Sequence, residues 1–361
     1  MDKIFFELIR VAIGNQVCLS HTPTADEWGR LYEIAKKQSL VGVCFAGVQR
    51  LVLQQQTPPE QLYLQWMGMA AKIQQRNEVL NRRCAELAER LKLKGYRSCI
   101  LKGQSLAPYY GDLAALRQSG DIDVWVRNKS IEELDAYVKG LGYAPKTTAA
   151  HVSYEDTSTL RQAQDRRCSA QVVEVELHAV PAFMRNFRTN RKLAQWFKEF
   201  NGSTEEFNLV YMMVHMYHHV LFEGLGLRQV MDYYFVLRTQ ISDKRLVMDD
   251  DVLRLFNDLG MMRFARGVMW IMKEVFKSEE NLLLCEADEK IGRLLLDEIM
   301  DGGNFGKYSE NKGLHSDSAL VRGIRHWERN VKFFMLAPWE ILCSPLWSLW
   351  HWWWRRKRNF N

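Results

Sequence analysis

Two aspartates that alternate with apolar residues carry the clearest chemical signal in this sequence. Asp121 and Asp123 lie in residues 120–126, which continue into a β-branched and aromatic run. The alternation predicts a strand with one buried face, on which both carboxylates would point to the same side, about 7 Å apart. Such a pair is tolerated at a strand end in water, or around a cation such as Mg²⁺, which takes carboxylate oxygens and leaves room for phosphate. The two carboxylates alone therefore predict either a metal and nucleotide site or a solvated strand end.

A glycine turn lies just upstream of the aspartates. Residues 97–101 predict a short buried strand, which leads through Lys102, Gly103 and Ser105 into a predicted helix over 106–110. Glycine lets the backbone approach a ligand closely, and the N–H groups at a helix start point towards an anion. This order of strand, glycine, hydroxyl residue and helix indicates a phosphate site.

The stretch ILKGQSLAPYYGDLAALRQSGDIDVWV resembles the uncharacterised nucleotidyltransferase family known as NTP-transferase family 5, within the polymerase-beta-like nucleotidyltransferase superfamily. The family pattern is Leu-Lys-Gly, a Tyr, an Arg and then Gly-Asp-Ile-Asp. It is matched at 101–103, Tyr110, Arg117 and 120–123. The likeness extends over roughly residues 40–240. In the superfamily Gly and Ser are usually adjacent in the first loop, whereas Gln104 separates them here.

A third carboxylate is expected on a later strand. Residues 172–178 alternate, so Glu174, Glu176 and His178 would share one face of a strand. The family has its acid two residues before the His, which selects Glu176 over Glu174. The resemblance thus implies that Asp121, Asp123 and Glu176 are the catalytic residues and hold Mg²⁺, or alternatively Mn²⁺. Glu176 would be either the general base or a ligand of the catalytic metal.

The resemblance also implies which residues bind the NTP substrate. These nucleotide-binding residues are Lys102, Gly103, Ser105, Arg117 and Gly120. Lys102 would bring a compact ammonium to the phosphate oxygens. For Arg117 the residues leave two interpretations open: a bidentate contact to phosphate, or an internal salt bridge to Asp121 or Asp112.

The activity implied by the resemblance is transfer of a nucleoside monophosphate from an NTP to a hydroxyl acceptor by a two-metal mechanism. The chain has no recognisable RNA-binding module, which favours a small molecule or a protein over nucleic acid as the acceptor. Two alternatives stay open. The altered first loop, with Gln104 between Gly103 and Ser105, would suit a catalytically inactive nucleotide-binding regulator. The third interpretation is a membrane-surface interaction protein that acts through its C-terminal segment.

Composition and patterning predict an α+β protein with a small mixed nucleotidyltransferase sheet and flanking helices. The 361 residues are 47% hydrophobic and 25% charged, with a net charge of +6, as in a globular protein with a sizeable core. Four segments are predicted: an N-terminal helical region (1–95), the catalytic domain (96–188), a helical domain (189–330) and a Trp-rich basic segment (331–361). Within them we expect helices over 61–93 and 131–141 and strands at 97–101, 120–126, 151–155 and 172–178.

The cysteines and the N-terminal residues indicate the cellular compartment in which the protein is expected. The seven cysteines show no paired short spacing, which argues against a disulfide framework and against a zinc ribbon. Glu7 and Arg10 interrupt the apolar run of residues 1–14, which is unlike a signal peptide. A reducing cytoplasm is therefore expected.

A histidine-rich helix is predicted after residue 204. His215 and His219 are spaced i,i+4, as are His219 and Glu223, and His218 lies between them. This spacing can bind zinc. The Glu that metal-dependent hydrolysis needs between two His is missing, which favours a structural or pocket-lining role. Further along, Arg228 and Asp232 are expected to pair on one helix.

The C-terminal segment combines tryptophans with a basic cluster. Residues 333–354 hold six tryptophans, and Arg355, Arg356, Lys357 and Arg358 follow. Pro338, Glu340, Pro345 and His351 argue against a membrane-spanning helix. Two interpretations remain: an amphipathic segment through 333–358 that makes peripheral contact with an anionic membrane, or a helix docked on the protein's own core. The soluble composition favours the docked helix.

Overall fold

The fold was analysed in a computed structural model that describes residues 2–157, 172–242, 250–304 and 327–358. The chain forms two compact units. The first comprises residues 1–74, 109–118 and 201–342, and the second comprises 75–108, 119–200 and 343–361. Each unit draws on several of the four segments expected from the sequence, and those segment boundaries stay a prediction.

Most of the described residues are helical. The α-helices are α1 (Asp2–Ile13), α2 (Ala25–Lys37), α3 (Val41–Leu51), α4 (Glu60–Leu93), α5 (Ile131–Gly140), α6 (Phe187–Glu199), α7 (Thr204–Phe222), α8 (Leu227–Ser242), α9 (Asp250–Asp258), α10 (Met262–Phe276), α11 (Glu289–Gly302) and α12 (Pro338–Lys357). Short 3-10 helices are Val52–Gln54, Gly103–Ser105, Ala107–Leu116 and Glu280–Leu282. The strands are β1 (Ser98–Ile100), β2 (Ile122–Val126), β3 (Lys146–Thr147), β4 (His151–Asp156) and β5 (Val173–His178).

The five strands form one mixed sheet in the second unit. Their order is β1-β2-β5-β4-β3, and β2 and β5 are parallel while the other neighbours are antiparallel. The chain is therefore α+β with a small mixed sheet and many helices, and the predicted fold class is confirmed.

One face of the sheet packs against helices and forms the core of the second unit. This core consists of buried side chains from the strands and from three helices. The strands contribute Ile122, Val124, Val126, Val152, Tyr154, Val173, Val175 and Leu177. The helices contribute Leu80, Cys84, Leu87 and Leu91 (α4), Ile131, Leu134 and Val138 (α5), and Trp354 (α12). Strand alternation leaves the opposite face to Asp123, Glu176 and His178.

The prediction of a single buried face for β2 is wrong. All five residues of β2 are buried. On the face opposite the core, the Trp125 ring lies 6.1 Å from the ring of Phe197 in α6, centroid to centroid. The second face of β2 is therefore buried by residues from elsewhere in the chain, and Asp123 on that face is buried too. The alternation within the strand could not reveal this, because it reflects only the strand's own sequence.

Helix starts follow their capping residues. Thr24 and Glu27 form a capping box at the start of α2, and Ser130 and Glu133 form one at α5. In each box the hydroxyl oxygen accepts from the Glu backbone N–H while the Glu side chain accepts from the cap residue, which satisfies two N–H groups that the helix leaves unpaired.

The first unit is built from helices, and small residues allow some of them to approach closely. A Cβ placed on Gly47 of α3 would lie 2.8 Å from the Leu8 carbonyl oxygen of α1, so any larger residue would push the two helices apart. None of the helices in the described residues is both long and apolar enough to cross a membrane.

Candidate functional site

The pairing of two parallel strands brings the predicted acids together. The register of β2 and β5 aligns Asp123 with Glu176 and Trp125 with His178. The residues between them, such as Val124 and Leu177, point to the opposite face and lie in the core. A shift of one residue in either strand would turn its acid into that core, so apolar packing on one face fixes the acid pair on the other.

Asp123, Glu176 and His178 form a compact cluster of metal-ligand side chains. One ligand atom from each residue lies within 4.8 Å of the others. His178 Nε2 is 3.0 Å from Asp123 Oδ1 and 3.2 Å from Glu176 Oε2. The convergence of Asp123 and Glu176 is what the sequence predicted. His178 was placed on the correct face by strand alternation but was not assigned to the site.

The two oxygens of the Asp123 carboxylate differ in their surroundings. Oδ1 is contacted by His178 Nε2 and by Lys102 Nζ, the latter at 3.1 Å. Oδ2 is buried and has no hydrogen-bond partner among the described residues. A buried carboxylate oxygen without a partner is costly, so it is an uncommon feature that calls for a ligand or a cation.

Electrostatics lower the pKa of Glu176 and raise the pKa of His178. Burial alone would lower the pKa of His178, but hydrogen bonds to Asp123 and Glu176 raise it to about 9. Burial would raise the pKa of Glu176, but the hydrogen bond from His178 and the charges of His178 and Lys102 lower it to about 2. Lys102 contacts Asp123, and His178 contacts both Asp123 and Glu176, so two basic side chains face the two acidic ones.

The Lys102 turn starts beside the acidic strand. The Leu101 N–H donates to the Asp123 carbonyl oxygen at 2.8 Å. This bond extends the hydrogen bonding between β1 and β2 as far as the turn. Gly103 then adopts a positive φ of 57°, and a Cβ there would lie 3.6 Å from the Asp121 carbonyl oxygen. The turn therefore borders the start of β2, on the side where Lys102 reaches Asp123.

The other predicted phosphate contacts are arranged as follows. The Ser105 hydroxyl donates to the Lys102 carbonyl at 3.1 Å, so it closes its own turn. Around the Cβ position of Gly120, no described atom lies within 4 Å, which leaves open space at the entry to β2. In place of the helix predicted over 106–110, the span Ala107–Leu116 is 3-10 helical on both sides of a kink at Gly111, where φ is 56°. Gln104 lies near Cys84, with Oε1 3.9 Å from the Cys84 Sγ.

Asp121 precedes β2 and lies outside the compact cluster. The set of described residues whose ligand atoms lie within 4.8 Å of one another does not include it. Burial and then the charges of Glu176 and Asp121 raise the pKa of Glu174, so Asp121 belongs to the acidic margin at the strand starts. A ligand role for Asp121 stays a prediction.

His151 is a second site residue that sequence reasoning missed. It is the register partner of His178 across β4 and β5, and their ring centroids lie 5.2 Å apart. Its Nε2 is 3.9 Å from Glu176 Oε1. Burial lowers the pKa of His151, which favours the neutral imidazole. No local pattern could have revealed this placement, because it depends on the pairing of β4 with β5.

Arg117 forms an internal ion pair in the first unit. Its Nε and Nη2 lie 2.7 Å from Asp232 Oδ1 and Oδ2, and the guanidinium side chain is only 3% exposed. The Tyr110 hydroxyl donates to Asp232 Oδ1 at 2.5 Å. Of the two interpretations, the structure shows the salt bridge, but its partner is Asp232 and the expected partners Asp121 and Asp112 were wrong. Arg228, expected to pair with Asp232, donates to the Gln118 carbonyl at 2.6 Å.

The histidines of α7 form a chain of contacts along the helix. His215 Nε2 and His219 Nε2 are 2.8 Å apart, and His219 Nδ1 is 2.8 Å from Glu223 Oε2. Across the described residues, no group of three ligand side chains with metal-site spacing includes them. The described geometry gives no support to the zinc interpretation.

Comparison with known proteins identifies the family. The sequence model of a family described as "Uncharacterised nucleotidyltransferase" matches residues 24–277, a span that contains every predicted site residue. No curated protein and no solved structure matches the chain. Because the match covers more than half of the chain, the protein belongs to this uncharacterised nucleotidyltransferase family, and the resemblance seen in the sequence is confirmed.

Proposed function

We propose that this member of the uncharacterised nucleotidyltransferase family uses the Asp123–Glu176–His178 cluster to transfer a nucleoside monophosphate from an NTP to a hydroxyl acceptor. Family membership supports nucleotidyl transfer as the reaction class. The metal dependence, the residues and the kind of acceptor are the proposal. The single observation that carries it is Asp123 Oδ2, a buried carboxylate oxygen without a partner among the described residues, inside the cluster of possible metal ligands.

The side chains present fit a divalent cation. Asp123 and Glu176 supply hard oxygen ligands of the kind that Mg²⁺ takes, and a cation would satisfy the partnerless Asp123 oxygen. If the cation displaces the His178 proton, the imidazole nitrogen adds a ligand that Mn²⁺ accepts more readily than Mg²⁺. When bound, the metal would lower the pKa of the acceptor hydroxyl and offset charge on the pyrophosphate leaving group. Asp121, at the entry to β2, is proposed as a further ligand.

Glu176 acts in this scheme as a ligand. Its pKa of about 2 keeps the carboxylate ionised over the whole physiological range, which suits cation binding and makes it a weak proton acceptor. His178 orients both carboxylates, because its Nε2 lies within hydrogen-bond distance of each. This imidazole therefore sets the spacing of the two acids.

The Lys102 turn acts on the phosphates. Lys102 Nζ lies 3.1 Å from Asp123 Oδ1, so its charge is available where a triphosphate would meet the acids. Gly103 and Gly120 leave the backbone accessible on either side of Asp121. A phosphate contact from the Ser105 hydroxyl would require it to turn away from the Lys102 carbonyl, which it now contacts.

The experiment is an acceptor screen with the full chain. Each of the four α-³²P-labelled NTPs is incubated with Mg²⁺ or Mn²⁺ and with small hydroxyl compounds, proteins or RNA. We expect label transfer with equal release of pyrophosphate, dependent on the metal and absent in Asp123→Asn. Retention of turnover in Asp123→Asn would refute the assignment. Glu174→Gln is the matched control, because Glu174 is exposed on the same strand.

A catalytically inactive nucleotide-binding regulator is the second candidate. The observation in its favour is that Lys102 and His178 already balance the charges of Asp123 and Glu176. Gln104 in the first loop points the same way. Thermal stabilisation by NTP that needs no metal, with no pyrophosphate release with any acceptor, would establish the regulator instead of the enzyme.

A further inference from the structure

Helix α12 has one face that is held against the second unit. The Trp347 ring stacks on Phe183 with centroids 5.2 Å apart, and the Arg185 guanidinium lies 5.0 Å from the same ring. Trp354 is buried in the core below the sheet. His351 Nε2 accepts from the Ala149 N–H at 3.4 Å. These contacts show that residues 343–358 are a folded part of the unit.

The opposite face of α12 presents large apolar side chains to solvent. Leu346, Leu349, Trp350 and Trp353 are between 40% and 66% exposed. Their spacing of i, i+3, i+4 and i+7 sets them in one row along the helix, and we call this row the tryptophan stripe. Single exposed apolar side chains are ordinary, whereas four in one row form an exposed apolar patch, the kind of surface that can bind a partner or a membrane.

A basic cluster adjoins the tryptophan stripe at the C-terminal end of the helix. Arg356 lies 5.1 Å from the centroid of the exposed Trp352 ring, and Lys357 Nζ lies 5.0 Å from that of Trp353. Among the described residues, no carboxylate lies within ion-pair distance of Arg356 or Lys357. Arg358, in contrast, contacts Glu132 at 2.7 Å and ties the helix end to α5.

The combination of aromatic, aliphatic and cationic side chains selects the occupant of this surface. Tryptophan prefers the headgroup level of a bilayer, where its ring is apolar and its N–H remains hydrated. Arginine and lysine beside it are attracted to anionic lipid headgroups. A second copy of this chain would bring the same positive charge and would not neutralise it. The charge pattern therefore favours an anionic membrane.

We infer that the tryptophan stripe binds the surface of an anionic lipid bilayer, with α12 lying in the plane of the interface and its inner face still docked on the sheet unit. The inference is independent of the transfer reaction. Leu346, Leu349, Trp350 and Trp353 enter the headgroup region, while Arg356 and Lys357 meet lipid phosphates or carboxylates. Binding should weaken as salt is raised, because part of it is electrostatic.

The test is flotation of the full chain with two kinds of vesicle, one of phosphatidylcholine alone and one with about a third phosphatidylserine. We expect binding to the anionic vesicles only. Leu349→Glu/Trp353→Glu should weaken it at least about tenfold, because two apolar side chains are lost from the stripe. Arg356→Gln/Lys357→Gln should weaken it by a similar factor and reduce its salt dependence.

Matched variants serve as controls. Leu93→Glu changes an exposed leucine of the same unit that lies outside α12, and Lys92→Gln/Lys94→Gln removes two exposed charges there. Both should bind vesicles as wild type does. Thermal unfolding confirms that each variant is folded, and the Arg356/Lys357 variant keeps the stripe intact.

Three results would overturn the inference. The first is failure of wild type to bind anionic vesicles at low salt. The second is equal binding by the stripe variants and the controls. The third is a wild-type dimer in solution that Leu349→Glu/Trp353→Glu dissociates while vesicles bind neither protein, which would assign the stripe to a second copy of the chain.

Discussion

Asp123 of β2 and Glu176 of β5 are direct neighbours on two parallel strands. The neighbouring register pairs, Ile122 with Val175 and Val124 with Leu177, are fully buried on the other face. The same pairing that fills the core therefore sets the two carboxylates side by side. His178 lies between their oxygens, so the sheet preorganises these three side chains.

Comparing Glu176 with Glu174, the two acids of β5, distinguishes loss of a metal ligand from loss of negative charge alone. We expect Glu176→Gln to reduce metal-dependent transfer on the order of 10²-fold or more, because a ligand to the metal is lost. Glu174→Gln should change the rate by about twofold at most, since Glu174 is exposed and is not among the clustered ligand side chains. Pyrophosphate release under saturating NTP measures both. Equal losses in the two variants would show that only the overall negative charge of the strand matters.

Lys102 contacts the same Asp123 carboxylate that is proposed to hold the metal, so we expect the two to compete. In Lys102→Met we expect the divalent ion to bind about fivefold more tightly, as the removal of roughly 1 kcal/mol of competing attraction predicts, while the KM for NTP rises. Titration calorimetry with Mn²⁺ measures the first effect and steady-state kinetics the second. Lys129→Met is the control, because Lys129 pairs with Glu133 on the surface of the same unit. If Lys102→Met bound the metal with the same affinity as wild type, Lys102 and the metal would not compete for Asp123.

The Arg117–Asp232 pair should be structural. Arg117→Ala leaves Asp232 buried without its cation and should lower the free energy of unfolding by about 3–5 kcal/mol. Replacing the network with apolar residues, as in Arg117→Leu/Asp232→Leu/Tyr110→Phe, should recover much of that loss, because no buried charge is left unpaired. Urea unfolding followed by circular dichroism measures both. A normally stable Arg117→Ala protein with a raised KM for NTP would instead restore the phosphate-contact interpretation.

Neighbouring tryptophans of α12 should behave in opposite ways. Trp354 is 8% exposed and belongs to the core of the second unit, so Trp354→Ala should cost about 3–5 kcal/mol of folding free energy. Trp353 is exposed, and Trp353→Ala should stay within about 0.5 kcal/mol of wild type. Thermal and urea unfolding compare them directly. Similar costs for the two would show that the inner and outer faces of the helix are assigned incorrectly.

Much of this fold could be predicted from local sequence patterns. The helices expected over 61–93 and 131–141 match α4 (Glu60–Leu93) and α5 (Ile131–Gly140) closely, because helical spacing depends on residues close together in the chain. The alternation in 172–178 likewise predicts β5 and the shared face of Glu176 and His178. Asp123 and Glu176 were chosen because they match the family pattern. The strand register shows how two acids far apart in the sequence come to lie side by side.

Contacts between distant parts of the chain could not be predicted in this way. Arg117 and Asp232 are 115 positions apart, and no spacing rule links them. His151 joins the site only because β4 pairs with β5 in one register. The full burial of β2 depends on Phe197 of α6, which no pattern within the strand reveals. In each case a tertiary contact, and not a local preference, decides the outcome.

Binding of Mn²⁺ to the metal-free full chain, followed by titration calorimetry and electron paramagnetic resonance, tests the central claim most directly. We predict a bound ion in wild type whose affinity falls at least about tenfold in Asp123→Asn and in Glu176→Gln, and stays the same in Glu174→Gln. Nucleotide should bind more tightly when the ion is present. Wild-type affinity in Asp123→Asn, or no bound ion in the wild-type protein, would contradict a metal site at Asp123, Glu176 and His178.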